Sequence, residues 1–172
     1  MENIIFIGGV HGSGKGTICR EITSKYKIKH LTASDVLKWN DISEKNSKKV
    51  INIKETQNRL IVNLGKITNT DEVYLLDGHF CLLNSLNQPE KIPIQTFIDI
   101  NPRKIILVIA DSSEIKSRLE IRDNKAYQQS LIEDFQNLEI EYANEISKKL
   151  LKPILIVNSL NYDLNNLLNF IK

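Results

Sequence analysis

Short apolar runs alternate along the chain with longer stretches in which apolar residues recur every three or four positions. A run of four to seven mostly aliphatic, often β-branched residues is typical of a strand buried on both faces of a sheet. Such runs predict five strands, at residues 3–7, 28–31, 73–76, 104–110 and 154–157.

The stretches between these runs predict helices. Apolar residues follow helical spacing in residues 14–25, 53–64, 126–150 and 164–171, and Gly65 is predicted to end the second helix. The stripe of the third helix is predicted to face the core and consists of Tyr127, Leu131, Phe135, Leu138, Tyr142 and Ile146. Because strands and helices alternate, we expect an α/β fold in which helices cover both faces of a parallel sheet and ligands bind at the carboxyl ends of the strands.

Polar residues next to these elements predict how the chain enters and leaves them. Residues 32–35 offer capping side chains for a helix that starts near Val36, and residues 111–113 are predicted to cap the helix after the fourth strand. Residues 41–54 are polar and rich in lysine, which suits a mobile surface segment. Residues 89–93 contain two prolines and are predicted to form a loop.

The first predicted strand runs directly into the glycine-rich stretch GGVHGSGKGT. Gly9, Gly12 and Gly14 let the backbone turn tightly and bring its N–H groups close to phosphate oxygens, which a Cβ would obstruct. Lys15 supplies a mobile positive charge for the outer phosphates, and the following helix points its positive end at the same anion. The stretch from Gly9 to Lys15 therefore matches the Walker-type pattern G-x-x-x-x-G-K and predicts a nucleotide site.

The hydroxyl that usually follows the lysine comes one residue late, at Thr17, because Gly16 intervenes. This GKGT variant is similar to the loop of adenylate kinases and their nucleoside monophosphate kinase relatives, and it differs from the loop of GTPases and motor proteins. The predicted nucleotide-binding residues of this stretch are Gly9, Gly12, Ser13, Gly14, Lys15, Gly16 and Thr17.

Asp77 follows the third apolar run directly and begins the sequence Asp-Gly-His-Phe. An acidic residue at the end of a buried strand is the Walker B arrangement, which binds Mg²⁺ through water or orients its shell. His79 either contacts a phosphate or a catalytic water or is a structural histidine under the loop. We assign no catalytic role to His11 or His30.

Arg118 and Arg122 are four residues apart, so they project from the same face of the predicted helix. Phosphoryl transfer depends on cations that spread over the migrating phosphoryl oxygens, which makes both arginines candidate catalytic residues and Arg122 a candidate nucleotide-binding residue. The alternative is a pair of solvated arginines with Glu114 and Asp123 as partners.

Composition limits the class of protein. The chain has 172 residues, of which 41% are hydrophobic and 26% charged, with a formal net charge of +2. These values fit one globular domain and demand neither a nucleic-acid nor a membrane partner. The N-terminal apolar run is too short for a signal peptide or a membrane span, so we expect a cytoplasmic location. Cys19 and Cys81 lack metal-ligand spacing and are expected to be buried thiols.

Four motifs, taken in chain order, resemble P-loop nucleoside monophosphate kinases of the adenylate kinase branch, nearest to its archaeal and eukaryotic nuclear members. They are the GKGT loop, the stretch T-A-S-D-V-L-K at 32–38, the D-x-H of Asp77 and His79, and the R-L-E-x-R of 118–122. The second motif resembles the S-T-G-D-x-L-R stretch that receives the acceptor nucleotide, with Ser34 in place of glycine and lysine in place of arginine.

The resemblance implies a three-layer P-loop NTPase fold with a five-stranded parallel sheet. It implies a single domain over residues 1–172, with an acceptor-binding arm at about 33–65 and a short lid at about 118–130. ATP with Mg²⁺ would be the donor, and its γ-phosphoryl group would move to a nucleoside monophosphate or a similar small acceptor. The implied catalytic residues are Lys15, Asp77 (also the metal residue), Arg118 and Arg122, and the implied acceptor-binding residues are Thr32, Asp35, Lys38 and His79.

Two other functions remain open. Bacterial-type adenylate kinases hold the acceptor phosphate with the arginine of D-G-F-P-R, whereas this chain has D-G-H-F and no arginine there. That difference favours an ATPase of the same branch that acts on a protein or RNA partner without a small acceptor. A nucleotide-binding regulatory module is the third reading, and the predicted catalytic residues argue against it. The oligomeric state is not predicted.

Overall fold

Five parallel strands form the central sheet of the computed structural model, which describes residues 3–37, 53–84 and 88–172. In sheet order they are β2 (Lys29–Thr32), β3 (Tyr74–Asp77), β1 (Ile4–Gly8), β6 (Lys104–Ile109) and β7 (Ile154–Asn158). All five predicted strands are confirmed, with ends that differ by at most one residue. The α/β fold with a five-stranded parallel sheet is likewise confirmed.

The register of the sheet positions the glycine-rich loop. Central strand β1 pairs with β3 and β6, so that Ile7 lies opposite Asp77 and Gly8 opposite Leu107. Thr32 of β2 lies opposite Asp77 on the other side of β3. Because parallel strands end at the same edge of a sheet, the loop after β1 and the carboxylate after β3 become neighbours.

Helices cover both faces of the sheet, as predicted. Their bounds are α1 (Lys15–Lys25), α2 (Ala33–Leu37), α3 (Ile53–Ile67), α4 (Ile94–Ile100), α5 (Ser112–Asp123), α6 (Gln129–Leu150) and α7 (Leu164–Ile171). Side chains of β1 alternate between the faces: Ile5 and Ile7 pack in a cluster with α1 and α7, while Ile4 and Phe6 pack in a cluster with α2, α3, α4 and α6. Each fully buried aliphatic side chain of these layers contributes about 1.5–3 kcal/mol.

Two segments differ from their predicted form. Residues 89–93 were expected in a loop, but β4 (Cys81–Leu83) and β5 (Pro89–Lys91) form an antiparallel pair, and α4 follows directly after Pro93. Strands of three residues are too short for their period to be recognised. The predicted end of α3 at Gly65 is wrong, because the helix continues to Ile67 and a Cβ at Gly65 would meet nothing within 4 Å.

Helix starts also differ in detail. Thr32 Oγ1 accepts a hydrogen bond from the N–H of Asp35 at 3.1 Å, which confirms capping there, although α2 starts at Ala33 and not near Val36. At α5, Asp111 occupies the N-cap position as predicted, but its side chain makes no capping hydrogen bond, so the predicted capping contact is wrong.

The core stripe of α6 contains one wrong prediction. Leu131 is 60% exposed, and Ile132 is buried in its place against Ile115 and Leu119 of α5. The long helix begins at Gln129, three residues after the predicted start. Over the part of the chain that the structure describes, no helix is both long and apolar enough to cross a membrane.

Candidate functional site

Glycine conformations shape the loop between β1 and α1. Gly9, Gly12 and Gly14 have φ angles of 142°, 82° and 102°, which other residues rarely adopt. A Cβ at Gly9 would lie 2.2 Å from the carbonyl oxygen of Val108, and one at Gly14 would lie 2.7 Å from the Cβ of Ser159. The loop therefore lies so close to β6 and to the residue after β7 that a side chain at either position would displace it.

Lys15 is the first residue of α1 and is 7% exposed. Its Nζ donates hydrogen bonds to the carbonyl oxygens of Gly9 at 2.7 Å and Val10 at 3.0 Å. Burial lowers the pKa of Lys15, and the carboxylates of Asp77 and Glu139 act in the opposite direction. The ammonium is thus held at the loop by two neutral acceptors, which the charged oxygens of a phosphate can replace with stronger bonds.

Asp77 lies at the sheet edge beside the loop. Burial raises the pKa of this carboxyl, while Lys15 and then His30 lower it. Lys15 and Asp77 therefore favour each other's charge, yet the pKa of each shifts toward its neutral form. The cost of burying the two charges outweighs the attraction between them. The site therefore favours charged ligands, which add further attraction to these groups.

Thr17 and Asp77 provide oxygen donors beside the loop. Thr17 is exposed in the first turn of α1, and its Oγ1 accepts a hydrogen bond from Arg20 Nη2 at 3.1 Å. Hydroxyl and carboxylate oxygens are the protein ligands that suit Mg²⁺, which is usually held by one or two such groups together with waters and substrate phosphates. The residues present therefore fit a magnesium ion.

Arg118 ties α5 to the loop. Its Nη1 donates to the carbonyl oxygen of Gly12 at 3.1 Å and to Ser159 Oγ at 3.3 Å. Its Nε donates to Glu114 Oε1 at 3.0 Å, which confirms the pairing between these two residues considered from the sequence. Arg118 is thus held against the loop by three hydrogen bonds.

Arg122 lies one turn further along and is held differently. Its Nε and Nη2 donate to the two carboxylate oxygens of Asp123 at 2.8 and 2.9 Å, and Tyr127 Oη donates to the same carboxylate at 2.6 Å. Hydrogen bonding to Asp123 is the main cause that raises the pKa of Arg122. The side chain is 46% exposed, so this ion pair is partly solvated and its exchange for a phosphate costs little.

A cavity of about 900 Å³ joins these groups. At one end it is lined by the loop and, among the described residues, by four cationic side chains, Lys15, Arg20, Arg118 and Arg122. Asp77 and His79 lie along it, and Thr32 lies at the end of β2. The volume is at the upper limit of ordinary small-molecule sites, so the cavity offers room beyond a triphosphate.

The opposite end of the cavity is an apolar slot between α3 and α4. Its walls include Leu37, Leu60, Ile92, Phe97 and Ile100. Three neutral polar residues line the same slot and are almost fully buried, Thr56 and Gln57 on α3 and Thr96 on α4. An apolar slot with a few buried hydrogen-bonding groups is typical of a small-molecule site.

Most of the residues selected from the sequence meet at this cavity. Those that line it are Gly12, Gly14, Lys15, Gly16, Thr17, Thr32, Asp77, His79, Arg118 and Arg122. Gly9 and Ser13 shape the loop from behind, where Ser13 is fully buried. Asp35 is exposed and does not line the cavity. Lys38 lies outside the described residues.

Glu139 of α6 is a residue that sequence reasoning missed. It is 1% exposed, and its Oε1 accepts hydrogen bonds from the N–H groups of Phe80 at 2.9 Å and Cys81 at 2.8 Å. Burial raises the pKa of Glu139 to about 7. The N–H groups of Cys81, Phe80 and Gly9 and the charge of Lys15 lower this pKa, but their effect is smaller. The carboxylate thus fixes the segment after Asp77 beneath the loop. In the sequence, the one sign of this role was that Glu139 lies next to Leu138 of the apolar stripe.

His79 packs against the loop. Its ring and that of His11 have centroids 4.1 Å apart with planes tilted by 47°. Because His79 also lines the cavity, both sequence-based interpretations of this residue are compatible with its position.

Comparison with known proteins places this site in a broader group. A model of the AAA domain family matches residues 8–136, which span the loop, Asp77 and both arginines. The chain is 47% identical over 38 residues to UMP-CMP kinase 2 of Caenorhabditis elegans. That match covers 22% of this chain and 20% of the relative, so the chain spans about a fifth of the length of the curated relative it matches.

Among solved structures, the chain is similar to an uncharacterized protein from Eubacterium ventriosum. The two share 12% sequence identity at a TM-score of 0.50, and the similarity covers 99% of this chain and 96% of the other. At this level of identity the likeness shows the fold alone.

Proposed function

We propose that this chain, which belongs to the AAA domain family, is a nucleotide kinase-like phosphotransferase that moves the γ-phosphoryl group of ATP to a nucleoside monophosphate or a similar small acceptor. The observation that carries the proposal is that one cavity has both a cationic end and an apolar end. A donor triphosphate fits the first end, and an acceptor with a ring fits the second.

The loop and Lys15 would hold the donor. Backbone N–H groups at the start of α1 and the positive end of that helix favour the β- and γ-phosphates. Lys15 would leave the carbonyl oxygens of Gly9 and Val10 for the phosphate oxygens. Because a charge-assisted bond is stronger than a bond to a neutral carbonyl, this exchange favours the bound state.

Thr17 and Asp77 would hold Mg²⁺, which supplies positive charge to the β- and γ-phosphates when bound. Arg122 would exchange Asp123 for the moving phosphoryl group, since this ion pair is partly exposed. Arg118 would hold Gly12 in place and present its remaining donors to the same group. Cations arranged before the reaction stabilise the charge that spreads over the transferred oxygens.

The acceptor would enter at the slot between α3 and α4. Thr32 and His79 line the cavity and would contact its phosphate, and Thr56, Gln57 and Thr96 line the slot and would contact its base. The local similarity to a UMP-CMP kinase supports a nucleoside monophosphate acceptor. The D-x-H and R-L-E-x-R motifs support the adenylate kinase branch in particular. The cytoplasmic location and the roles of Asp35 and Lys38 stay predictions.

An ATPase is the second candidate function. Within the described residues, the slot contributes no arginine to the cavity, so it lacks the bidentate phosphate ligand expected of an acceptor site. This observation favours turnover in which water receives the phosphoryl group and lid movement acts on a protein or RNA partner.

Product analysis distinguishes these functions. The full chain is incubated with ATP, Mg²⁺ and each nucleoside monophosphate in turn, and products are separated by chromatography. We expect a new diphosphate from at least one acceptor. Inorganic phosphate alone would identify an ATPase, and the absence of both products would identify a binding module. Lys15→Ala is the matched control, because its turnover must disappear if the loop is responsible.

A further inference from the structure

Three residues that are distant in the sequence meet beside the loop helix. They are Cys19 on α1, His30 on β2 and Asp77 at the end of β3, and their potential ligand atoms all lie within 4.8 Å of one another. His30 Nε2 is 3.9 Å from Asp77 Oδ2, which is too far for a hydrogen bond. The spacing of the cysteines in the sequence gave no sign of this group.

The cluster contains ligands without other partners. Cys19 is fully buried and its thiol is free. His30 Nε2 is shielded from solvent and has no hydrogen-bond partner among the described residues. A buried polar nitrogen is normally paired, so one that faces a thiol and a carboxylate calls for an explanation. A cation held by all three side chains would satisfy it.

We propose that Cys19, His30 and Asp77 form a site for a borderline divalent cation of the Zn²⁺ type, separate in chemistry from the Mg²⁺ that accompanies a nucleotide. Zn²⁺ binds sulfur, imidazole nitrogen and carboxylate oxygen together, whereas Mg²⁺ prefers oxygen alone. A thiolate and a carboxylate balance the double charge of the ion. The complex is therefore close to neutral, which suits a buried place near the ammonium of Lys15.

The distances allow this binding with small movements. Zinc bonds of 2.0–2.3 Å place the ligand atoms of a tetrahedral site about 3.3–3.8 Å apart. The His30–Asp77 separation of 3.9 Å is near that range, and every separation in the cluster exceeds it by at most about 1 Å. Water would complete the fourth position, as it does in zinc sites with three protein ligands.

Sharing Asp77 has a functional consequence. A cation bound to this carboxylate withdraws it from the magnesium and nucleotide site, so the two ligands compete. This competition rests on the proposed function, but cation binding itself does not. A divalent cation of the Zn²⁺ type would therefore act as an inhibitor whose effect falls as the concentration of Mg²⁺ and ATP rises.

Cobalt spectroscopy tests the site in the nucleotide-free full chain. Co²⁺ is added under a phosphine reductant, and the thiolate-to-cobalt charge-transfer band is followed. We expect a band that saturates at one Co²⁺ per chain and disappears when Zn²⁺ is added. Cys19→Ser should abolish the band. His30→Asn should weaken Co²⁺ binding more than about 100-fold, which exceeds the effect of losing a residue that only hydrogen-bonds to a metal ligand.

Cys81→Ser is the matched control, because Cys81 is also buried and free but lies outside the cluster. It should keep the full band. No band in the wild type, a band that survives Cys19→Ser, or one lost in Cys81→Ser would overturn the proposal. Circular dichroism and thermal melting accompany each variant. X-ray absorption of the zinc-loaded wild type needs no variant and should show one sulfur ligand; a shell of oxygen and nitrogen alone would contradict the site.

Competition is measured separately. At a free Zn²⁺ concentration fixed by a chelator buffer, so that Zn²⁺ bound by ATP itself does not count, added Mg²⁺ and ATP should weaken Zn²⁺ binding to the chain at least about 10-fold, since one carboxylate serves both ligands. Unchanged Zn²⁺ affinity would overturn the shared use of Asp77. A chain that binds Co²⁺ through Cys19 but transfers no phosphoryl group would support the metal site and contradict the proposed function, so the two failures are distinct.

Discussion

The two ends of the cavity are built in different ways. The cationic end comes mainly from one continuous stretch, the loop and first turns of α1, with two arginines added from α5. The apolar end is assembled from α2, α3 and α4, which are distant from one another in the chain. Charge follows the same division, because one end presents four cations and the other presents neutral Thr56, Gln57 and Thr96.

This difference predicts what each end controls. Cations around a phosphoryl group act on the transition state, so their loss should lower kcat by large factors. Neutral groups in a slot act on recognition, so their loss should change the choice of acceptor by modest factors. The variants below are ordered by the size of the expected effect.

Lys15→Ala should lower kcat at least about 1,000-fold, or about 4 kcal/mol, because the loop loses its mobile charge. The fold should survive, since burial already opposes the charge of this ammonium. Turnover and thermal melting are measured on the same preparation. Near-normal turnover by a folded variant would show that the loop is not the donor site.

Arg122→Lys should lower kcat about 30- to 1,000-fold with little change in ATP affinity, because lysine keeps the charge but loses the planar fork. Arg118→Lys should instead weaken ATP binding as well, since Arg118 holds the carbonyl oxygen of Gly12. kcat and ATP affinity are measured separately for both variants. Equal and small effects on both quantities would show that the arginines are a solvated pair.

Gln57→Leu should change the KM for the acceptor about 10-fold and leave the KM for ATP unchanged, because one buried amide is lost from the slot. Asn58→Ala is the control, as Asn58 is exposed on the same helix. A panel of acceptors is compared for each variant. If ATP and acceptor constants change together, the two ends do not have separate roles.

Glu139→Gln should change the pH dependence of stability. Burial raises the pKa of Glu139 to about 7 from the usual 4.5 of a glutamate, so the folded state binds more protons than the unfolded state between these pH values. Stability from this group is therefore present at low pH and is lost as pH rises toward 7, by at most about 3 kcal/mol. Lys15 and Cys81 face the same carboxyl.

In the wild type, the melting temperature should fall as pH rises toward 7. In Glu139→Gln this fall should be absent, although the amide oxygen can still accept hydrogen bonds from the N–H groups of Phe80 and Cys81. Melting curves are recorded for the wild type and the variant across the range from about pH 4.5 to 7. Identical pH dependence in the two proteins would show that Glu139 does not titrate in this range.

The cationic end was predictable because its signals are local. Glycine spacing, Lys15 and the strand before them specify a loop whose shape the backbone fixes, and Asp77 follows a continuous apolar run. The five strands were predicted for the same reason, since a buried parallel strand is a short apolar run.

The apolar end was not predictable because its residues meet only through tertiary packing. Gln57 and Thr96 are ordinary polar residues in sequence, and their burial depends on how α3 and α4 pack together. The contacts of Glu139 and the cluster of Cys19, His30 and Asp77 were missed for the same reason, since each joins elements that are distant in the chain. The error at Leu131 arose because Ile132, its neighbour, fits the same helical pattern.

The most direct test follows the terminal phosphoryl group itself. The full chain receives ATP labelled in its γ-phosphate together with Mg²⁺ and the preferred nucleoside monophosphate, and the label is divided between acceptor diphosphate and inorganic phosphate. We expect that most of the label enters the diphosphate and that Gln57→Leu lowers this share without slowing the use of ATP to the same extent. Label found only in inorganic phosphate, at a rate independent of any acceptor, would contradict the two-ended site.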